Sequence, residues 1–306
     1  MHPAEKVSNL GTFLKVVSDI RSEWQTGEPR SRLDPWDELW FRGEGHTHPE
    51  TKLRPALYRP LEDQLPKTNE ELVDIEDDLF ERFGHYSTEL ARQESLDRDE
   101  DDSWGRYFLI QHYGGPTRLL DWSDGALIAL HFAIRDDRRD NVDRYVYVLD
   151  SYWLMDHLRK MTLNHRSARG DWAKFCRKHP LRELDPEEWD RIYLPSGDDR
   201  RELPIPEFPL VLELDHFARR ISAQRSRFIV FGRDSSFFET LLADGDSRLV
   251  TIPVDGRAVS DLRVQLRDAG VTESVIYPNL DGLGRELNQL WRERLRETTP
   301  SQRSKS

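Results

Sequence analysis

The order of two apolar periodicities along the chain constrains the fold most strongly. In the first half, apolar residues recur at every third or fourth position, as in Val7 to Trp24 and Leu72 to Leu90, which predicts amphipathic helices. In the second half, short apolar runs bounded by polar turns predict buried strands. These runs are residues 208–214, 227–231, 249–254 and 274–277. Because strands and helices do not alternate regularly, the sequence favours an α+β protein with a mixed or antiparallel sheet flanked by helices.

Local signals place several element ends. Thr68 and Glu71 have the spacing of a capping box and predict the start of a long helix. The run Leu39–Phe41, interrupted by Gly43, predicts a short buried strand that turns sharply. A helix predicted over Asp124–Ile134 is rich in alanine, so we expect another backbone element to approach it closely. The final predicted helix has leucines and a tryptophan on one face, at Leu283, Leu287, Leu290, Trp291 and Leu295.

Composition excludes several classes of protein. The formal net charge of -12 opposes general binding to duplex nucleic acid, because phosphate neutralisation requires a basic surface. A single cysteine, Cys176, excludes an internal disulfide framework, and no apolar run approaches the roughly 20 residues that span a bilayer. We therefore expect a cytoplasmic protein with no membrane partner. We expect a single domain over residues 1–297, with 152–206 as a helical or irregular insertion and 298–306 as a disordered polar tail.

One polar cluster lies beside apolar flanks, at the predicted end of a helix before Gly114. Its members are Gln111, His112, Tyr113, Thr117, Arg118 and Asp121. They can form a pocket wall, in which Tyr113 stacks on a ring and Arg118 or Asp121 bonds ribose or phosphate groups. They can equally form a brace in the core, with Arg118 paired to Asp121. Both alternatives require that these polar groups find hydrogen-bond partners.

Arg42 follows the buried run Leu39–Phe41 directly and precedes Gly43. Its guanidinium is therefore expected to emerge from a strand where a glycine lets the backbone approach a ligand. A fixed guanidinium is suited to bidentate phosphate binding. The alternative is a structural ion pair with Asp121 or Glu44.

Four motifs together resemble the FRG domain family, which is named for a Phe-Arg-Gly tripeptide. They are Phe41–Gly43, Leu53–Arg59, Gln111–Trp122 and Tyr277–Leu283. The resemblance extends over almost the whole chain. By analogy with the family, it implies a bacterial toxin or a phage-defence effector, which is an inference from fold alone.

The order of elements is also similar to that of ADP-ribosyltransferases, which implies an ADP-ribosyltransferase-like core and NAD as substrate. In this likeness Arg42 holds phosphate, Tyr113 stacks, and Gln224 stands where the transferases place a glutamate. A glutamine keeps the hydrogen bond but lacks the charge that stabilises the cationic ribose carbon. Either Asp121 or Glu213 replaces that carboxylate, or the protein binds a nucleotide without turnover, so the sequence leaves open whether the protein is an enzyme.

A basic segment, residues 157–179, suggests a different function. Its arginines and lysines are interleaved with Trp172 and Phe175, a pattern suited to RNA and single-stranded nucleic acid. The alternative hypothesis is thus a non-catalytic module that binds RNA or a protein, and the simpler alternative is a solvated insertion paired with acidic helices. His46 and His48 lack the convergent donors of a zinc site, so no metal is expected. The sequence does not indicate an oligomeric state.

Overall fold

The computed structural model describes residues 6–24, 39–45, 53–60, 67–93, 103–135, 141–163, 174, 177–178, 192–195, 204–212, 223–245 and 247–297. The strands in these ranges are β1 (Leu39–Glu44), β2 (Leu119–Ser123), β3 (Arg144–Asp150), β4 (Leu210–Leu212), β5 (Ser226–Val230) and β6 (Leu249–Val254). The helices are α1 (Leu10–Trp24), α2 (Asn69–Gln93), α3 (Ser103–His112), α4 (Ala126–Ile134), α5 (Ser151–Leu163), α6 (Phe237–Ala243), α7 (Val259–Asp268), α8 (Glu273–Ile276) and α9 (Leu280–Glu297). Short 3₁₀ helices occur at Ala56–Tyr58 and Gly256–Ala258.

The described strands form one antiparallel sheet in the order β4-β5-β2-β1-β3-β6. This confirms the predicted α+β class and the antiparallel alternative. Strand β1 pairs with β3 along its whole length, and β2 pairs with β5 along its whole length. In contrast, β1 and β2 pair at one position, Phe41 opposite Ser123. We call this weakly paired junction at the centre of the sheet the β1–β2 seam.

Apolar residues cover both faces of the sheet. Trp40 packs in a cluster with residues of α2, α3, α5 and α6, whereas its neighbour Phe41 packs in a second cluster with residues of α1, α4 and α7. This division follows from the alternation of side chains along a strand. Arg42 therefore lies on the same face of β1 as Trp40, at the point where the apolar cluster gives way to polar residues.

Helix α4 packs directly against β1 because both elements have small residues at the contact. A Cβ atom added at Gly43 would lie 1.8 Å from the carbonyl oxygen of Ala129 and 2.6 Å from the amide nitrogen of Ala133. The close approach predicted for the alanine-rich helix is confirmed. The expectation that Gly43 admits a ligand is corrected, because the backbone of α4 occupies that space.

One predicted strand is wrong. Residues 274–276 belong to helix α8, and Tyr277 is the residue that follows it. Main-chain hydrogen bonds run from Ile276 N to Thr272 O and from Tyr277 N to Glu273 O, at 3.1 and 2.8 Å. A short apolar run fits a buried helical turn as well as a strand, so periodicity alone cannot separate them. The strand predicted at 249–254 has the bounds observed for β6. Residues 164–173, most of 175–203 and the predicted tail 298–306 lie outside the described residues, and the single-domain boundaries stay a prediction.

Candidate functional site

A continuous chain of hydrogen bonds joins α3, β2 and β1. Thr117 Oγ1 donates to Gln111 Oε1 at 2.5 Å, and Gln111 Nε2 donates to Asp121 Oδ2 at 3.0 Å. Arg42 then donates from Nη1 to the carbonyl oxygen of Asp121 at 2.6 Å, and from Nε to Glu44 Oε1 at 2.9 Å. Four residues that the sequence analysis singled out as site candidates therefore meet, and Glu44 completes the chain.

The position of this hydrogen-bond network follows from the β1–β2 seam. Phe41 and Ser123 are the paired residues; Arg42 follows Phe41, and Asp121 lies two residues before Ser123. A backbone carbonyl in a sheet normally accepts from a neighbouring strand, and here the Arg42 side chain donates to the Asp121 carbonyl across the seam. The contact between Arg42 and Asp121 is thus made through the Asp121 main chain, whereas Glu44 provides the carboxylate of the ion pair.

A second guanidinium, that of Arg59, lies next to this pair. Its Nη2 atom is 3.8 Å from Glu44 Oε1. Burial, together with the positive charge of Arg42, lowers the pKa of Arg59 to about 10. Its Nε atom is buried and has no acceptor among the described residues. A main-chain hydrogen bond from Leu57 N to Thr117 O, at 3.2 Å, connects the segment 56–59 to the hydrogen-bond network of Thr117, Gln111, Asp121 and Arg42.

Sequence reasoning did not select Arg59 as a site residue. It is the last residue of the Leu53–Arg59 motif, which was the available signal. Tyr147 stands opposite Arg42 in the register of β1 and β3. Burial and the charge of Glu44 raise the pKa of the Tyr147 phenol, so the Tyr147 side chain that borders the site is uncharged at physiological pH.

Arg118 occupies a different environment from the other candidates. It is fully buried, and its Nε atom lies 2.5 Å from Glu76 Oε2. Its remaining nitrogens donate to the carbonyl oxygens of Phe231, at 2.9 Å, and Tyr193. The structure thus gives Arg118 a place in the core, as the brace alternative requires, but its carboxylate partner is Glu76 and not Asp121.

The other candidates lie around the polar chain. Tyr113 directly follows α3, and its half-exposed ring meets the His112 ring edge-to-face at a centroid distance of 5.0 Å. Gln224 lies two residues before β5 and beside the end of β2, where its carbonyl accepts from Ser123 Oγ at 2.8 Å. The Nε2 atom of Gln224 is buried without an acceptor among the described residues. Glu213 lies outside the described residues.

The basic segment 157–179 is described only at 157–163, 174 and 177–178. In that part, Lys160 pairs with Asp156 at 2.5 Å. Binding of RNA or a protein through this segment therefore stays a prediction. Within the described ranges, no three potential metal-ligating side chains come together, and His46, His48 and Cys176 lie outside those ranges. Among the helices that the structure describes, none is both long and apolar enough to cross a membrane.

These features define an α+β protein whose antiparallel sheet is weakly joined at its centre, beside two neighbouring arginines. Residues 37–142, about a third of the chain, match the model of the FRG domain family. The matched range includes the polar chain and Arg59 but not the Tyr277–Leu283 motif. No curated protein and no solved structure matches the chain. The likeness to ADP-ribosyltransferases accordingly has no support from these comparisons.

Proposed function

We propose that the protein binds a nucleotide such as NAD, with its phosphate groups at Arg42 and Arg59. The observation that supports this most directly is that two guanidiniums, those of Arg42 and Arg59, lie close to the same carboxylate oxygen, Glu44 Oε1. Like charges at close range in a partly buried site repel each other, which is one reason for the lowered pKa of Arg59. A phosphate anion relieves this repulsion and accepts several charge-assisted hydrogen bonds from such a pair.

The neighbouring groups favour a nucleotide over a bare phosphate. The Asp121 carboxylate is exposed, and Gln111 donates an amide hydrogen to it. Carboxylate and amide groups of this kind bond ribose hydroxyls. The half-exposed ring of Tyr113, two residues beyond Gln111, is a stacking surface for a base or a nicotinamide ring.

Turnover of NAD would depend on Asp121. Cleavage of the bond between nicotinamide and ribose develops positive charge on the sugar, which a carboxylate stabilises. Gln224 supplies no such charge, whereas Asp121 lies next to the two arginines and is held by Gln111. This assignment makes the protein an NAD glycohydrolase or an ADP-ribosyltransferase-like effector, in keeping with the toxin or defence role that the resemblance implies.

Calorimetric titration with NAD, ADP and inorganic phosphate tests the binding step. Arg59→Met removes a charge-assisted donor, and the loss of about 1.5–3 kcal/mol should weaken nucleotide binding about ten- to a hundredfold. Arg257→Met is the matched control, because Arg257 is exposed and pairs with Asp255 away from the FRG match. Equal affinities for the wild type and Arg59→Met, or no binding of any of these ligands to the folded wild type, would refute the assignment.

Release of nicotinamide from NAD tests turnover separately. Asp121→Asn keeps the shape of the side chain and removes its charge, so it should abolish release while binding of ADP is retained. If the wild type binds NAD and releases no nicotinamide, the protein is a nucleotide-binding module and the catalytic role of Asp121 is wrong.

A further inference from the structure

The C-terminal helix α9 is attached to the rest of the protein by a polar face. Arg285 Nε lies 3.1 Å from Glu273 Oε2, and Glu286 Oε2 accepts from Ser274 N at 2.9 Å. Gly282 lies against the Tyr277 carbonyl, where an added Cβ atom would be 2.0 Å from the oxygen. These contacts fix the rotation of α9 about its own axis.

The opposite part of α9 is apolar and exposed. An apolar stripe consists of Leu280, Leu283, Leu287, Trp291 and Leu295, and these side chains are 85, 44, 58, 59 and 49% exposed. A surface helix normally turns its apolar stripe toward the core and its polar face toward water. In α9 this arrangement is inverted, and such an exposed stripe is typical of an interaction surface.

The apolar stripe is complementary to itself when two helices run antiparallel. The midpoint between Leu280 and Leu295 falls between residues 287 and 288, and so does the midpoint between Gly284 and Trp291. A two-fold axis at that point sets Leu280 of one copy level with Leu295 of the other. It also sets each Trp291 indole against the other copy's Gly284. Gly284 provides the space, since no atom lies within 4 Å of the Cβ position there.

Charge favours the same arrangement. Asp281 and Arg292 are separated by about three helical turns, so they lie on the same flank of the stripe. In an antiparallel pair, Asp281 of each copy comes close to Arg292 of the other, and the two-fold axis makes this contact twice. A parallel two-fold pair would instead place these flanks on opposite sides of the interface, so that Asp281 and Arg292 of different copies would not meet.

We infer that the apolar stripe of α9 binds the same stripe of a second copy of this chain, forming an antiparallel, two-fold symmetric dimer. Trp291 is the central anchor, because large aromatic side chains that fill a partner's pocket dominate binding energy. This inference is independent of the nucleotide site, which lies on other elements.

Sedimentation equilibrium of the full chain, from low to high micromolar concentration, tests the dimer. The wild type should form dimers in a concentration-dependent manner, and Trp291→Ala should raise the dissociation constant about thirtyfold, which corresponds to about 2 kcal/mol. Leu14→Ala is the matched control, because Leu14 is an exposed apolar residue on α1 and should leave dimerisation unchanged. A wild type that is monomeric at every concentration would overturn the inference, whatever else covers the stripe.

Further variants distinguish this specific dimer from nonspecific association through an apolar surface. Gly284→Leu adds apolar area and improves helix propensity, yet it should weaken dimerisation because it fills the space for Trp291. Asp281→Arg and Arg292→Asp should each weaken dimerisation, and combining them should restore it. Stronger association of Gly284→Leu, or no recovery in the charge-reversed double variant, would contradict antiparallel pairing.

Discussion

Replacing Glu76 by alanine should cause a large loss of stability. Glu76 is buried on α2, where its carboxylate accepts from the backbone N and the Nε of Arg118, at 2.8 and 2.5 Å. It also accepts from the Tyr107 hydroxyl. The alanine variant leaves the fully buried Arg118 guanidinium without a counter-charge, and removing one partner of such a pair costs about 3–5 kcal/mol.

The loss is large relative to the stability of an ordinary domain, about 5–15 kcal/mol. With a urea m-value of about 3 kcal/mol/M, it should lower the unfolding midpoint by about 1 M or more. Urea titrations followed by circular dichroism measure this midpoint. The double variant Glu76→Leu with Arg118→Met should recover most of the loss, since neither charge then remains in the core.

Asp74→Ala provides the control on the same helix. Asp74 is exposed, so its replacement should change the free energy of unfolding by no more than about 0.5 kcal/mol. If Glu76→Ala shifts the midpoint no further than Asp74→Ala does, the proposed energetic role of the Arg118–Glu76 pair is refuted. The same conclusion follows if the apolar double variant is less stable than Glu76→Ala.

Three other changes have expected outcomes. Gly43→Ala forces a Cβ atom against the Ala129 carbonyl and should cost about 3 kcal/mol in urea unfolding, whereas Gly245→Ala, which meets no atom within 4 Å, should be nearly neutral. Thr68→Ala removes the side-chain cap of α2 and should cost about 1 kcal/mol in thermal unfolding, and an unchanged midpoint would exclude the cap's contribution. Although burial raises the pKa of Glu273, His131 and nearby arginines lower it to about 2 from an ordinary 4.5. The Glu273 carboxylate therefore contributes stability that is complete above about pH 4.5 and is lost as the pH falls to about 2, so Glu273→Gln should flatten the stability curve in that window, and an unflattened curve would contradict this.

Local rules predicted the ends of elements better than their buried faces. The capping box is confirmed, because Thr68 N donates to Glu71 Oε2 at 2.8 Å and Glu71 N donates to Thr68 Oγ1 at 3.2 Å. The apolar stripe predicted for α2 continued to Leu90, yet Tyr86 on that stripe is 69% exposed. Among the side chains of α2 that the structure describes, up to residue 87, the buried ones are Val73, Glu76 and Phe80. Packing partners, and not periodicity alone, set which face of α2 turns inward.

The part of the site that is local in sequence could be predicted. Gln111, Thr117 and Asp121 lie within eleven residues of one another around a turn, so chain proximity alone suggested that they meet. Local sequence does not reveal which acid on an acidic helix is buried, and Glu76 was therefore missed as the partner of Arg118. The role of Arg59 depends on how Ala56–Tyr58 folds back toward Glu44, which is a tertiary contact.

The connections across the β1–β2 seam limit how the chain can be divided. Of the six described strands, β1, β3 and β6 lie on one side of the seam, and β2, β4 and β5 lie on the other. Of these described strands, the segment 37–142 that matches the FRG family contains β1 and β2, which pair with each other at one position. An excised 37–142 polypeptide would lack β3 and β5, which supply most of the hydrogen bonds to its strands. We therefore expect the matched segment to fold only together with the strands that follow it, at 144–150 and 226–230.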